Sequence, residues 1–574
     1  MTSPVSAPSS LQAARAWLAQ DPDEVTRGEL AAIIAAAEGG DAAASADLDD
    51  RFGARLEFGT AGLRGRLGAG SNRMNRVLVS QAAAGFAAYL REKAGPDATP
   101  TVVIGYDGRR NSDVFAADSA AIFAGAGLRA VLLPRLLPTP VLAFAVRHLD
   151  AAAGVMVTAS HNPPDDNGYK VYLGGADQGS QIVAPADAEI AAHIERVAAA
   201  TAVPDIPRGE YEVADEAVVS AYVAATATVA PAPAGAASMN WVYTAMHGVG
   251  YETLRAILEL AGYPLPVVVA EQIEPDGRFP TVAFPNPEEP GAMDLSFATA
   301  RDAGAEFILA NDPDADRLAV AIPDAHADGG WRRLTGNETG LLLGWRAAQR
   351  AALSSGAAGG AAGAADAPAS LACSLVSSPG LEAVAAHYGL DFHATLTGFK
   401  WISRAPGIVF GFEEALGYLV NPETVRDKDG ISAAVAILGM IAEAREEGRT
   451  LADVLAQFAE TFGFFQSGQV SLRVEDTSII GRIMAALRAD PPAAIGGVAV
   501  ERIDDLLAGV ADYPPGDVLR LWLADGSRVI VRPSGTEPKL KAYLDVRGDS
   551  ASDAAARLAA LDEGARALIA AAQG

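Results

Sequence analysis

At 574 residues the chain exceeds what one hydrophobic core supports, and a prior of roughly 150 residues per domain suggests about four domains. Half the residues are apolar and 20% are charged, which describes a folded globular protein and excludes a disordered one. The net charge of −27 makes the whole-protein field repel nucleic acid, anionic membranes and phosphorylated molecules, so any phosphate site has to be a local basic pocket. Cys373 is the only cysteine, which excludes an intrachain disulfide and a cysteine-based zinc site and fits a reducing compartment. Residues 1–12 lack a basic stretch followed by an apolar run, and the longest apolar stretch, 433–442, is far shorter than a membrane span. The expectation is a cytoplasmic protein with no membrane and no nucleic-acid partner.

An Ala-rich helical preface over about 10–50 leads into a strand at 101–106, a helix over 114–127 and strands at 129–133 and 154–157. That alternation reads as βαβ units. The Pro- and Ala-rich stretch 229–238 reads as a linker or exposed loop, after which the pattern restarts: strand 241–245, helix 252–261, strand 266–270, helix 294–303, strand 306–310. A third round runs through helix 337–352, strand 371–376, helix 381–388 and strand 408–412. It is interrupted by a tract at 354–370, nearly all Ala, Gly and Ser, that reads as a flexible surface insertion. From about 468 the order changes to strands at 469–474, 498–503, 518–523 and 528–531 and a closing helix over 552–571, an α+β pattern unlike the first three. The domain boundaries expected from these shifts are 1–215, 216–332, 333–465 and 466–574.

Each of these segments carries one motif. Thr158-Ala159-Ser160-His161-Asn162-Pro163 follows a buried strand and precedes Asp166-Asn167-Gly168-Tyr169-Lys170. A loop at the C-terminal end of a strand is where α/β sheets place chemistry, so Ser160 is a candidate nucleophile, with a plain polar turn as the alternative. Asn311-Asp312-Pro313-Asp314-Ala315-Asp316-Arg317 also lies just beyond a strand, and carboxylates at i, i+2 and i+4 can converge on a hard cation. A calcium EF-hand would need Gly at the sixth position and Glu at the twelfth, where this chain has Arg317 and Pro323; a solvated acidic turn remains the other reading.

The third motif is Gly411-Phe412-Glu413-Glu414-Ala415-Leu416-Gly417-Tyr418, near Thr397-Gly398-Phe399-Lys400-Trp401 and Arg426-Asp427-Lys428-Asp429-Gly430. Carboxylates accept hydrogen bonds from vicinal sugar hydroxyls and a lysine can steer phosphate, although a helix N-terminus explains Asp429 onward equally well. The fourth is Arg532-Pro533-Ser534-Gly535-Thr536-Glu537-Pro538-Lys539-Leu540-Lys541. Gly535 lets backbone amides face an anion, Ser534 and Thr536 add hydroxyls, and Arg532 can grip two phosphate oxygens; a solvated β-turn is the alternative.

In this order, with Phe58-Gly59-Thr60-Ala61-Gly62-Leu63-Arg64-Gly65 before them, the motifs resemble the α-D-phosphohexomutase family, which comprises phosphoglucomutases, phosphomannomutases and related phosphopentomutases. The resemblance implies an α/β fold of three similar α/β domains with mixed sheets and a smaller α+β C-terminal domain around a central cleft. It implies a phosphosugar mutase of the intramolecular phosphotransferase type that interconverts 1- and 6-phosphates of glucose and/or mannose through a phosphorylated Ser160 and a bound sugar 1,6-bisphosphate. By position, Asp312, Asp314 and Asp316 take the Mg²⁺ together with Ser160. Arg64, Arg317, His161 and Lys170 match residues that surround the reacting phosphate, and Lys170 or Lys428 with His161 assisting moves the proton. Thr397, Gly398, Lys400, Glu413, Arg532, Ser534, Gly535, Thr536 and Lys541 take the substrate. The family's sugar loop has Glu-x-Ser where this chain has Glu413-Glu414-Ala415, which leans toward the pentose-phosphate branch as the alternative. A Mg²⁺-dependent sugar phosphatase and a non-catalytic sugar-phosphate sensor are further alternatives, and a monomer or homodimer is expected.

Overall fold

The computed structural model describes residues 9–59, 62–357, 368–474, 476, 478–510, 513, 515–534 and 539–573. The chain divides into two compact units, Met1–Arg333 with Gly417–Glu443, and Leu334–Leu416 with Ala444–Gly574.

The first unit opens with helices Ser10–Leu18, Glu24–Glu38 and Ala42–Phe52. The expected helical preface breaks where Pro22 and the Gly39-Gly40 pair interrupt it, and Ser9, Asp23 and Asp41 accept hydrogen bonds from the first free amides of each helix. Behind them stands a mixed sheet with strand order Leu63–Arg66, Asp166–Leu173, Ala153–Val157, Thr101–Tyr106, Arg129–Leu132 and Glu212–Val213. The three strands starting at Ala153, Thr101 and Arg129 are parallel, and the two at the other end, starting at Asp166 and Leu63, are antiparallel. Helix Arg76–Ala94, with Val77, Leu78, Phe86 and Leu90 buried, packs against helices Ser112–Gly125 and Ala186–Ala200. The fully apolar strand Ala153–Val157 needs cover on both faces, and the helices provide it.

A second mixed sheet follows in the same unit, ordered Trp331–Arg333, Leu318–Pro323, Phe307–Asn311, Trp241–Thr244 and Val267–Val268. Phe307–Asn311 runs parallel to Trp241–Thr244 and antiparallel to Leu318–Pro323, so residues 312–317 form the turn of a hairpin whose register starts at Asn311 opposite Leu318. The strand expected at 266–270 shortens to Val267–Val268 before a 3₁₀ turn.

In the second unit, parallel strands Asp391–Thr395, Ser370–Ser374 and Ile408–Glu413 run side by side, with helices Gly336–Ala357 and Gly380–Tyr388 in the same unit. An antiparallel sheet follows, ordered Phe464–Arg473, Lys539–Gly548, Arg528–Pro533, Leu519–Leu523, Val498–Asp505 and Ala494–Ile495, with helix Ala551–Ala572 packed on it through Ala554, Leu561, Ala565 and Ile569. Its first strand begins five residues before the expected 469 because Phe464–Gly468 pairs with the far end of Lys539–Gly548. Residues 358–367 of the expected insertion lie outside the described residues. Among the described residues no helix is long and apolar enough to cross a membrane.

Arg528 ties the second unit together. It is buried, its Nε donates to Asp545 at 2.7 Å and its Nη2 donates to the Ser377 carbonyl, while Ser467 Oγ also donates to Asp545 at 2.6 Å. Replacing it with methionine leaves the Asp545 carboxylate buried without its counter-charge, a loss of about 3–5 kcal/mol. Arg528→Met should therefore lower the urea midpoint of the transition that reports the second unit, followed by tryptophan fluorescence.

Candidate active site

The loop after strand Ala153–Val157 places Ser160 in the left-handed backbone region, at φ 51°, a conformation that costs a non-glycine residue energy and persists only where the surroundings enforce it. Here the enforcement begins with Thr158, whose hydroxyl oxygen accepts from the Ser160 amide at 2.8 Å and donates to Asp107 at 2.7 Å. The resulting kink turns Ser160 Oγ toward the hairpin turn of the second sheet, where it donates to Asp312 Oδ2 at 2.7 Å. His161 Nδ1 lies 3.2 Å from the same Oγ. Arg64, on the antiparallel strand Leu63–Arg66, donates to Asn162 Oδ1 of this loop at 3.1 Å.

The turn 312–317 holds Asp312, Asp314 and Asp316, all buried, with one oxygen of each within 4.8 Å of the others. Ala315 takes φ 55°, which lets the three side chains point to one side. Gly430 packs against this turn so closely that a Cβ there would fall 2.2 Å from the Arg317 carbonyl oxygen. Lys170 Nζ bridges Asp314 at 2.7 Å and Asp316 at 2.8 Å, and Lys428 Nζ lies 3.3 Å from Asp316. The Arg317 amide donates to Asp312 Oδ1 at 3.0 Å, and Thr139 Oγ1 donates to Asp314 Oδ2 at 2.6 Å.

These contacts divide the carboxylates. Burial would raise the pKa of Asp314 and Asp316, but Lys170 and, for Asp316, Lys428 and Arg317 outweigh it and hold both below the ordinary carboxylate range. Asp312 is pushed well above that range by burial and then by Asp314 and Asp316. Burial, Arg317 and Arg64 push His161 well below the usual histidine value, so its ring is neutral near pH 7. Lys170 stays above its usual value because Asp314 and Asp316 overcome its burial.

The donor set fits a hard divalent cation such as Mg²⁺. Asp314 Oδ1 and Asp316 Oδ1 are buried and have no hydrogen-bond partner among the described residues, and clustered carboxylate oxygens are the ligands such ions take.

Of the residues expected from sequence, the first unit brings together Ser160, His161, Arg64, Lys170, Asp312, Asp314, Asp316, Arg317 and Lys428. Lys428, grouped by sequence with the third motif, lies in the first unit because its neighbours are anchored there. Asp427 accepts from Tyr172 OH at 2.9 Å and from Gln181 at 2.8 Å, and Asp429 accepts from Tyr222 OH at 2.9 Å. Asp429 also caps helix Gly430–Glu446 by accepting from the Ile431 and Ser432 amides.

Thr397, Gly398, Lys400, Glu413, Arg532, Ser534 and Lys541 belong to the second unit. Gly398 precedes the short helix Phe399–Ile402 and Glu413 ends its strand, while Glu414 accepts from Ser374 and Ser377. Arg532 and Lys541 are register partners on adjacent strands, and the Ser534 amide donates to the Lys539 carbonyl at 2.8 Å. Gly535 and Thr536 lie outside the described residues. Four further residues that hold the site, Asp107, Thr139, Tyr172 and Tyr222, lie outside the motifs. Asp107 directly follows the strand Thr101–Tyr106, so the strand-end rule that singled out Ser160 applied to it as well.

The descriptions of phosphoglucomutase/phosphomannomutase alpha/beta/alpha domains I, II and III match residues 55–201, 220–326 and 335–462, and that of the C-terminal domain matches 484–562. The chain belongs to the phosphoglucomutase/phosphomannomutase family. A probable phosphomannomutase of Haemophilus influenzae is 55% identical over 497 residues, covering 86% of this chain and 98% of that one. Human phosphopentomutase is 33% identical over 572 residues, covering 92% and 90%. Among solved structures, a putative phosphomannomutase from Thermus thermophilus superposes with a TM-score of 0.66 at 26% identity, covering 90% of this chain and 99% of that one. The family and these relatives are mutases, so this family member is an isomerase of the phosphotransferase type, with the three α/β domains and distinct C-terminal domain expected from its sequence.

A cation held by the carboxylate trio stabilises the folded state by mass action, by about 2.7 kcal/mol at one hundred times its Kd. Adding Mg²⁺ to EDTA-stripped protein should raise the melting temperature, and Asp314→Asn or Asp316→Asn should abolish the rise, read by scanning calorimetry.

Proposed function

We propose that this family member interconverts the 1- and 6-phosphates of glucose and/or mannose through a phosphorylated Ser160 and a bound sugar 1,6-bisphosphate. The observation that supports this most is the 2.7 Å hydrogen bond from Ser160 Oγ to Asp312 within the buried carboxylate trio. Transfer breaks the bond from Ser160 Oγ to phosphorus and forms one to a sugar hydroxyl, whose proton must leave; the second transfer reverses the roles on the other hydroxyl. Neutral His161, 3.2 Å from Oγ, can accept a proton there, while Lys170 and Lys428 can donate one to an oxygen gaining charge. Arg64 and Arg317 add positive charge around the phosphoryl group, and such charge lowers the barrier of phosphoryl transfer more than covalent chemistry does. Mg²⁺ on Asp312, Asp314 and Asp316 would neutralise charge on the transferring phosphoryl oxygens. Burial of Ser160 keeps water from competing for the phosphoryl group. In the second unit, Arg532, Ser534 and Lys541, with Gly535 and Thr536, are assigned to the non-reacting phosphate, and Thr397, Gly398, Lys400 and Glu413 to the sugar.

The pentose reading has its own support. Ala415 replaces the serine of the hexose loop, and the human relative named phosphopentomutase aligns over 92% of this chain. Rates on glucose 1-phosphate, mannose 1-phosphate and ribose 1-phosphate, each with a trace of the matching bisphosphate, separate the two. The hexose reading predicts the highest kcat/KM on a hexose phosphate, and a higher value on ribose 1-phosphate would replace it. Free phosphate as the product would mark a phosphatase, and binding without turnover a sensor. In the same assay Ser160→Ala should nearly abolish turnover. Arg532→Ala should raise KM at least about tenfold with a smaller change in kcat, the loss of one charge-assisted hydrogen bond.

A further inference from the structure

We propose that Arg109 is a positioning residue for the transfer step: its guanidinium fixes the backbone of the 158–166 loop so that Ser160 Oγ is held on Asp312. The inference deepens the mutase reading and rests on it. Arg109 lies in the loop after strand Thr101–Tyr106 and is 4% exposed. Its Nη2 donates to the carbonyls of Ser160 and Asn162, both at 2.6 Å, and its Nη1 to those of Pro163 at 2.8 Å and Asp166 at 3.1 Å. One rigid fork thus gathers four carbonyls of a single loop, which a lysine ammonium on its flexible stem cannot reproduce.

The other end of the Ser160 residue is held by the same assembly. Its amide donates to Thr158 Oγ1, Thr158 donates to Asp107, and Asp107 lies 3.6 Å from Arg109 Nε and accepts from Ser112 Oγ and the Arg109 amide. Amide and carbonyl of the one left-handed residue in the loop are therefore both tied to the Asp107–Arg109 pair, the over-determination that such a conformation requires. The guanidinium is covered in turn by the Phe279 ring, 4.9 Å away. Phe279 itself takes φ 48°, and the segment leading to it lies so close that a Cβ on Gly277 would fall 2.8 Å from the Gly108 carbonyl oxygen.

A buried guanidinium is a poor choice for stability alone, since a hydrophobic side chain of similar volume stabilises a core as well or better. What the fork supplies is geometry, and in group transfer a misplacement of about 1 Å costs about 100-fold in rate.

The test uses the full-length enzyme with Mg²⁺, the variants Arg109→Lys and Phe279→Leu, glucose 1-phosphate as substrate and glucose 1,6-bisphosphate as phosphoryl donor. Folding is checked by circular dichroism, kcat and KM are measured, and the rate of Ser160 phosphorylation is followed by mass spectrometry. Folded Arg109→Lys should keep its KM while kcat and the labelling rate both fall by about 100-fold. A folded variant with wild-type kcat and labelling rate overturns the assignment. If Arg109→Lys does not fold, Phe279→Leu decides: a fall in kcat at constant KM supports the role, and unchanged kcat, or loss of fold in both variants, removes it. Failure of the wild-type enzyme to take phosphate on Ser160 would instead strike the mutase reading itself, a result separate from equal labelling of wild type and variant.

Discussion

Asp312, Asp314 and Asp316 place three carboxylates within 4.8 Å of one another in a buried turn, and the mutual repulsion of that charge has to be balanced by cationic groups packed around them. Lys170 and Lys428 balance two of them. Asp312 receives the Arg317 amide and the Ser160 hydroxyl. Two buried oxygens of the trio, Asp314 Oδ1 and Asp316 Oδ1, lack hydrogen-bond partners among the described residues. A cation bound there would reverse the local electrostatic logic, and the trio and the serine are best understood as one unit.

The balancing groups come from distant parts of the chain, and the fold of the first unit delivers each of them on a rigid support. Lys170 is paired in register with Met156, in the strand that leads into the Ser160 loop, so nucleophile and lysine share one sheet. Arg64 follows one strand further out, opposite Gly168. Lys428 arrives just before helix Gly430–Glu446, with Asp427 held by Tyr172 and Asp429 held by Tyr222 on either side of it. The hairpin register from Asn311 opposite Leu318 fixes the turn that carries the acids. A strained serine, a crowded acidic turn and two buried lysines are each unfavourable alone. Their hydrogen bonds and ion pairs to one another let them coexist.

The motifs at the ends of strands were legible from the sequence because polar runs directly after apolar strands have few structural explanations. The repeated α/β pattern was legible because its strands Thr101–Tyr106, Trp241–Thr244 and Phe307–Asn311 are short and apolar. Helix Arg76–Ala94 was not, since it buries residues on nearly every face and shows little 3.6-residue periodicity. The strand Asp166–Leu173 was not among the expected strands: it begins with Asp-Asn-Gly, residues that favour turns, and tertiary pairing on both sides makes it a strand. The contacts of Lys428 and Arg109 depend on residues more than fifty positions away in the chain, which no local pattern encodes.

The most direct measurement of the central claim is a single-turnover transfer from enzyme phosphorylated on Ser160. Protein labelled at that residue is mixed with excess sugar 1-phosphate and Mg²⁺, quenched at millisecond intervals, and assayed for label on the Ser160 peptide, in sugar bisphosphate and in free phosphate. The account predicts that label leaves Ser160 and appears in the bisphosphate at least as fast as steady-state turnover. Label that stays on the peptide during turnover, or that passes to water, would contradict it.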